Sequence, residues 1–306
     1  PAPAHVLMVG DANQLPSVGS GNVLHDLIRS GRFPVTRLSR IFRQSETSSI
    51  VSMAHAILEG ATRVPARANL ASEIQTEHDF HFITADSPEA CLKKLLLLCR
   101  DFIPSTYGVH PVRDIQVIAP MHKGVVGIQN LNTEMQRTLN PKEALDEADV
   151  TRRGQGHFRQ RTGRPAPVEV PSGGATFRVG DKVIQTRNNY QKSLFNGDIG
   201  AITGISPDGA RLFIDFDGES HEFEKGELGE LQLAYAISVH KSQGSEYPIV
   251  ILPLLKQHFV MLQRNLLYTG VTRGRRKVFL VGDLDAFAMA VRNREAALRR
   301  TDLLDK

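Results

Sequence analysis

A chain of 306 residues, 41% hydrophobic and 23% charged, has the length for roughly two domains with a buried core and too much apolar content for wholesale disorder. Its charge balance, 37 − 33 = +4 with a pI near 9.1, is a mild bias toward anionic partners that by itself identifies none. Apolar stretches such as Ile249 to Leu255 are far too short to span a bilayer, and no signal peptide precedes the first predicted strand, so a cytoplasmic location is expected. Cys91 and Cys99 share one amphipathic stretch, where the intervening helix separates them by about 12 Å, too far for a disulfide. Buried free thiols in a reducing compartment are expected. No Cys/His cluster has zinc spacing, so no metal site is expected.

In chain order, His5-Val-Leu-Met-Val9 reads as a buried strand running into Gly10-Asp11. A central strand needs partners, so the first ~35 residues are expected to be the tail of a domain whose body lies upstream. Ser45 to Leu58 carries apolar residues at helical spacing (Ile50, Val51, Met53, Ala54, Ile57, Leu58), closed by Gly60 as a C-terminal cap. Asp79–Ile83 reads as a strand. Ser87-Pro88-Glu89 then supplies an N-cap and a first-turn proline for the helix that holds both cysteines. Ile115–Ala119, Ile249–Leu252 and Lys277–Val281 are short β-branched or apolar runs between helices, the pattern of a parallel sheet covered on both faces.

The grammar changes from Phe177 to about Leu231. Short strands there alternate with turn signals at Val179-Gly-Asp181, Asn196-Gly-Asp198, Pro207-Asp-Gly209 and Asp217-Gly218, which predicts a small antiparallel barrel inserted into the α/β domain. Before it, Lys142–Asp149 is acidic and Thr151–Arg164 carries five arginines, at 152, 153, 159, 161 and 164. A solvated linker is the expectation for that stretch.

Four segments carry polar residues immediately after predicted strands, where α/β sheets place ligands. Val9-Gly-Asp-Ala-Asn-Gln-Leu-Pro-Ser-Val-Gly19 offers Asp11 and Gln14; the Gly-Asp pair alone reads equally as a capped turn. In Leu38-Ser-Arg-Ile-Phe-Arg-Gln44, Arg43 has a planar fork suited to phosphate, although an isolated arginine is often a surface ion-pair partner. Ala236-Ile-Ser-Val-His-Lys-Ser-Gln-Gly-Ser-Glu246 crowds hydroxyls, an imidazole, an ammonium, an amide and a carboxylate into one loop. Its Lys241-Ser242 is not a phosphate-cradling P-loop, because the upstream Gly-x-x-x-x-Gly is absent. Asn265-Leu-Leu-Tyr-Thr-Gly-Val-Thr-Arg-Gly274 reads as a helix that buries Leu266, Leu267 and Val271 and leaves Arg273 near its end, placed to offset charge on a phosphoryl group.

These four strings in this order resemble the superfamily 1 helicases, specifically the RecD-like branch of superfamily 1B. The resemblance extends through Ala119-Pro-Met-His-Lys-Gly124, Gly180-Asp-Lys-Val-Ile-Gln185, Arg187-Asn-Asn-Tyr190 and Phe195-Asn-Gly-Asp-Ile-Gly200. It implies an α/β, RecA-like parallel sheet of the P-loop NTPase type with an inserted SH3-like barrel. It further implies that Gln14 senses and Arg43 contacts the γ-phosphate, that Glu246 binds the ribose, and that Arg273 is the arginine finger, catalysis resting on Gln14, Arg43 and Arg273. The ATP-binding set is then Asp11, Gln14, Arg43, Gln243, Gly244, Glu246 and Arg273. Lys123, Asn188, Tyr190, His240 and Ser242 are similar to positions on or near a single-stranded DNA path. Tyr190 as a barrel-core aromatic and His240 as a satisfied structural histidine remain open alternatives.

The departures are as informative as the matches. The family's Walker A string and its Asp-Glu metal-binding motif occur nowhere in the chain, and Asn13 and Gly274 stand where Asp and Ala are more often expected. The resemblance therefore implies the carboxyl-terminal half of a helicase. Residues 1–35 would end a first motor domain, and 36–150 with 233–306 would form the second. Residues 151–175 would be a linker and 176–232 the barrel. The parent would couple ATP hydrolysis to 5′-to-3′ movement on single-stranded DNA, with Mg2+ held by the upstream motor half. The motor of a conjugative relaxase-helicase, or a non-enzymatic DNA-binding or docking module, are the rival readings.

Overall fold

The computed structural model describes residues 4–16, 21–38, 48–64, 67–69, 71–142 and 169–294. Arg43 and the arginine-rich stretch 151–164 lie outside the described residues.

A short helix, α1 (Val23–Arg29), precedes α2 (Ser49–Glu59). The Ser48 hydroxyl caps α2 by accepting from the Val51 amide, and Gly60 ends it in the left-handed region at φ 91°, a conformation that costs a glycine little. A two-residue strand, β1 (Arg67–Ala68), and β2 (Phe80–Thr84) follow. Then comes α3 (Pro88–Leu97), capped by Ser87 with proline in its first turn. It continues through a wide π turn, Leu98–Phe102, into α4 (Ile103–Tyr107). Both cysteines are buried free thiols in this helical run, their pKa values pushed up to about 12 by burial. Next are β3 (Ile115–Ala119) and α5 (Ile128–Leu139).

A hairpin of β4 (Glu169–Ser172) and β5 (Ala175–Arg178) leads into an antiparallel sheet. Its strands are β6 (Lys182–Gln185), β7 (Ile199–Ile205), β8 (Arg211–Phe216), β9 (Glu219–Glu224) and β10 (Leu231–Leu233). Ordered β10-β6-β7-β8-β9, they enclose a separate core with Phe177, Val183, Leu212, Ile214 and Phe223 at its centre. The chain then returns through β11 (Ala236–Ser238), β12 (Tyr247–Leu254), α6 (Arg264–Val271), β13 (Gly274–Gly282) and α7 (Leu284–Arg292).

The main sheet has six strands in the order β1-β2-β13-β12-β3-β11, every pairing parallel. Ile249, Val250 and Ile251 in β12 and Val278, Phe279 and Leu280 in β13 are fully buried. That continuous apolar register is what a sheet covered on both faces requires. α2, α6 and α7 contribute to the core on one face, and α3 and α5 to the core on the other.

Two expectations are corrected. Residues 4–10 form no strand: Val6, Leu7 and Val9 are more than 80% exposed, because among the described residues no neighbouring strand offers the ladder bonds that would hold them extended and covered. Further on, Glu169–Ser172 is a strand rather than linker, since Val170 inserts into the barrel core and pairs with Phe177 of β5.

The neck between sheet and barrel is densely bonded. The Asp181 carboxylate is fully buried and accepts from Tyr235 Oη at 2.8 Å, Asn140 Nδ2 at 2.7 Å, Gln136 Nε2 at 2.5 Å and the Arg178 amide at 2.7 Å. Burial still holds its pKa above the ordinary carboxylate value against these donors. Lys182 beside it is buried as well, donates to the Ile115 carbonyl at 3.2 Å, and is pushed down to about 8 by desolvation. On the return crossing, Gln116 donates to the carbonyls of Ala234 and Tyr235, and Asn132 bonds both the amide and the carbonyl of Ala236.

Candidate functional site

The connection 239–246 leaves the carboxyl end of β11 and enters the amino end of β12, so it crosses the sheet. Ser238 is level with Ala119 of β3 and Ile249 with Ile115, four residues apart (119 − 115), or about 13 Å. One short loop thus touches both edges of the domain, and the candidate residues divide accordingly.

At the amino edge, Arg273 follows α6 and is only 5% exposed. Its Nε donates to the Thr269 carbonyl at 3.1 Å, Nη1 to the Ser245 carbonyl at 3.2 Å, and Nη2 to Thr272 Oγ1 at 3.3 Å. The guanidinium is therefore held by backbone of both the helix and the crossing loop. A Cβ on the neighbouring Gly274 would lie 2.3 Å from Val278 Cγ2, so alanine there would require Val278 to shift. Glu246, partly buried, faces Arg275 at 4.0 Å. Gly244 is exposed with φ +82°.

The segment 11–15 docks onto this edge. Gln14 Nε2 donates to Asp11 Oδ2 at 3.2 Å, and Tyr268 Oη donates to the same oxygen at 3.0 Å. The Leu15 amide donates to Thr269 Oγ1 at 2.9 Å, and Gln243 Nε2 to the Leu15 carbonyl at 3.0 Å. Asp11, Gln14, Gln243 and Arg273 thereby form one connected polar network, although Asp11 and Tyr268 are 257 positions apart. Burial and the Asp11 carboxylate both raise the Tyr268 phenol's pKa.

At the carboxyl edge, adjacency of β3 and β11 places Lys123, exposed in the loop after β3, on the same rim as His240, exposed after β11. The barrel leans over this rim: Lys241 Nζ donates to Asn196 Oδ1 at 3.2 Å, and partial burial lowers the Lys241 pKa. Around Asn196, Asn188 Oδ1 accepts the Asn196 amide at 2.9 Å, and Asn189 pairs with Leu194 across a tight bend. Tyr190 is 77% and Phe195 51% exposed, set edge to face at 6.3 Å. Tyr190 is thus not a barrel-core aromatic. Ser242 is the exception in its group: its hydroxyl is fully buried and donates to the Val239 carbonyl at 2.8 Å, so it shapes the loop from within and presents nothing to a strand. Among the described residues no group of three His, Cys, Asp or Glu side chains is placed to hold a metal ion, and no helix is long and apolar enough to cross a membrane.

Tyr268, Thr269 and Phe195 are site residues that the sequence reading did not single out. The two on α6 look like ordinary helix positions until segment 11–15 is seen against them. Phe195 was signalled only by sitting in the string that ends at Gly200.

Three family models match in chain order: an AAA domain over residues 1–82, an ATP-dependent RecD-like DNA helicase SH3 domain over 160–216, and a UvrD-like helicase C-terminal domain over 233–281. The whole chain aligns at 35% identity with an ATP-dependent RecD2 DNA helicase of Deinococcus radiodurans, covering 36% of that protein. The chain belongs to the RecD-like helicase family. A RecBCD enzyme subunit RecD of Mycobacterium tuberculosis is 28% identical over 95% of the chain and 47% of its own length. The RecD-like chain therefore spans between about a third and a half of these relatives. A crystal structure of a Bacteroides Pif1 helicase with ADP-AlF3 and single-stranded DNA aligns over 94% of the chain and 64% of its own, at 19% identity and a TM-score of 0.46.

Proposed function

We propose that this chain is the second motor domain, with its barrel and the closing segment of the first, of an ATP-dependent helicase that moves 5′ to 3′ along single-stranded DNA. The observation that carries the reading is the crossing loop 239–246. It bears His240 and Lys241 at the rim shared with Lys123 and the barrel tip, and Gln243 and Glu246 at the edge that holds Arg273 and Gln14.

ATP supplies the phosphoanhydride bond whose hydrolysis drives the cycle. On this chain the donor set fits its polar ends: the Gln14 carboxamide and the Arg273 guanidinium suit a terminal phosphate, the Glu246 carboxylate suits ribose hydroxyls, and Arg43 is assigned to the phosphate by resemblance alone. The fork of Arg273 is held in a dry setting, where it is worth more against developing negative charge than in water. Asp11, Gln243 and Gly244 shape the cradle around it. Mg2+ does not fit the described residues, which gather no set of acidic or imidazole ligands, so no step is assigned to it here; the metal and the phosphate cradle are assigned to the partner motor half.

On the strand side, Tyr190 offers a π-face for stacking, with Lys123, His240 and Asn188 beside the path, the reading expected of sequence-tolerant single-strand grips. Nucleotide-driven closure would shift the crossing loop, and with it the rim. The test is steady-state ATP hydrolysis with oligo-dT, comparing the full-length protein with this chain alone. Strong DNA-stimulated turnover from the first and none from the second is expected. Repurified chain that still turns over ATP sinks the assignment.

A further inference from the structure

We propose that Tyr268 is a positioning residue: its hydroxyl, acting through Asp11, fixes the Gln14 carboxamide in register with Arg273, so that both groups meet a terminal phosphate as one unit. The proposal rests on the reading above that Gln14 and Arg273 face that phosphate.

Tyr268 is 9% exposed on α6, in the same core as Leu266, Leu267 and Val271. A phenyl ring would fill that space equally well, so the hydroxyl needs a reason of its own. It donates to Asp11 Oδ2 at 3.0 Å, the oxygen that also accepts Gln14 Nε2 at 3.2 Å. The other carboxylate oxygen accepts the Asn13 amide at 2.9 Å. Asp11 is thus fixed from two sides, and a primary amide that would otherwise rotate is held by a charged acceptor.

The next residue on the helix closes the link. Thr269 Oγ1 receives the Leu15 amide, and the Thr269 carbonyl receives Arg273 Nε. Within two adjacent residues of α6, one contact sets Gln14, one sets the end of its segment, and one sets the guanidinium. A motion of α6 therefore carries both groups together.

The experiment is ATP hydrolysis by the full-length protein, with kcat and KM for ATP measured at saturating oligo-dT. The variants are Tyr268→Phe, Asp11→Asn, Gln14→Ala and the Tyr268→Phe/Gln14→Ala pair. Tyr268→Phe is expected to lower kcat about tenfold, the scale of one hydrogen bond to a charged group, with KM for ATP and oligo-dT affinity within a few-fold of wild type. Asp11→Asn should do the same without disturbing the helix core. Because Tyr268 acts through Gln14, the double variant should lose no more than Gln14→Ala alone. A Tyr268→Phe kcat within twofold of wild type overturns the proposal, as does a loss that multiplies in full with that of Gln14→Ala. Wild-type protein with no turnover instead removes the functional reading on which the proposal stands, a result distinct from either.

Discussion

The amino edge of the sheet and the tip of the barrel carry polar and aromatic groups in opposite ways. At the edge, Arg273 donates to the Thr269 and Ser245 carbonyls, Gln14 to the Asp11 carboxylate and Gln243 to the Leu15 carbonyl, and Arg273 is only 5% exposed. At the tip, Tyr190 and Phe195 stand in water within a tight bend. Phosphoryl chemistry rewards groups whose positions are set before the charge develops, whereas a sliding strand must be gripped by surfaces it can reach and leave. On the proposed function, the chain would meet the first demand with contacts 257 and 254 positions apart and the second with a bend of a few residues.

The sharpest test of this contrast is at the edge. Arg273→Lys keeps the charge and loses the planar fork; in the full-length protein, turnover is expected to fall by about 10³-fold or more, with oligo-dT affinity measured without nucleotide within a few-fold of wild type. The lysine is the better probe because Arg273→Ala would also strip the buried carbonyls of Thr269 and Ser245 of a donor, at about 1–3 kcal/mol of stability. A lysine enzyme within tenfold of wild type would mean that the edge is a packing arrangement.

The contrast also assumes that edge and tip are joined by a dry neck, which Lys182 reports. Its folded-state pKa of about 8 lies below the ordinary 10.5, so between those values the unfolded chain binds more protons than the folded one. The Lys182 contribution to stability should therefore rise with pH across that window, by about 3 kcal/mol at most, while the buried thiols of Cys91 and Cys99, pushed up to about 12, lower stability above pH 9 in wild type and variant alike. Denaturant unfolding of wild type and Lys182→Met at pH 7.5 and 10 should show the difference between the two moving in favour of wild type at the higher pH; parallel curves would mean a hydrated neck. At the tip, Tyr190→Ala should weaken oligo-dT binding about tenfold, within the range of one stacked base, and shift folding stability by no more than about half a kcal/mol. The smallest expected effect is at the rim: Lys123→Gln should lower the slope of log affinity against log salt by about one.

Local structure was legible wherever a few adjacent residues decide it. The apolar spacing from Ile50 to Leu58 with its Gly60 cap, the Ser87-Pro88 start and the β-branched strands carry their own signals, and the turn signals around Asn196-Gly-Asp198 announced the barrel. His5 to Val9 has strand composition and forms no strand, because a ladder is a property of two segments and only one is written locally. The site followed the same rule. The strings naming Gln14, Gln243 and Arg273 could be read one by one, but nothing near Tyr268 signals that its hydroxyl meets Asp11, and nothing near Ser242 signals that its hydroxyl turns inward. The bond that ties Arg273 to the Ser245 carbonyl of the crossing loop was equally hidden.

The neck has a mechanical consequence. Asp181-Lys182, where the five-stranded sheet begins, and Ala234-Tyr235, where the chain leaves it, are both tied to α5 and β3 by buried side chains. The barrel is thus held at these crossings and again at its tip, where Asn196 accepts from Lys241 of the crossing loop, so it packs with the sheet as one body. On the proposed function, a nucleotide-driven displacement of the crossing loop would then be felt directly at the tip that carries Tyr190 and Phe195.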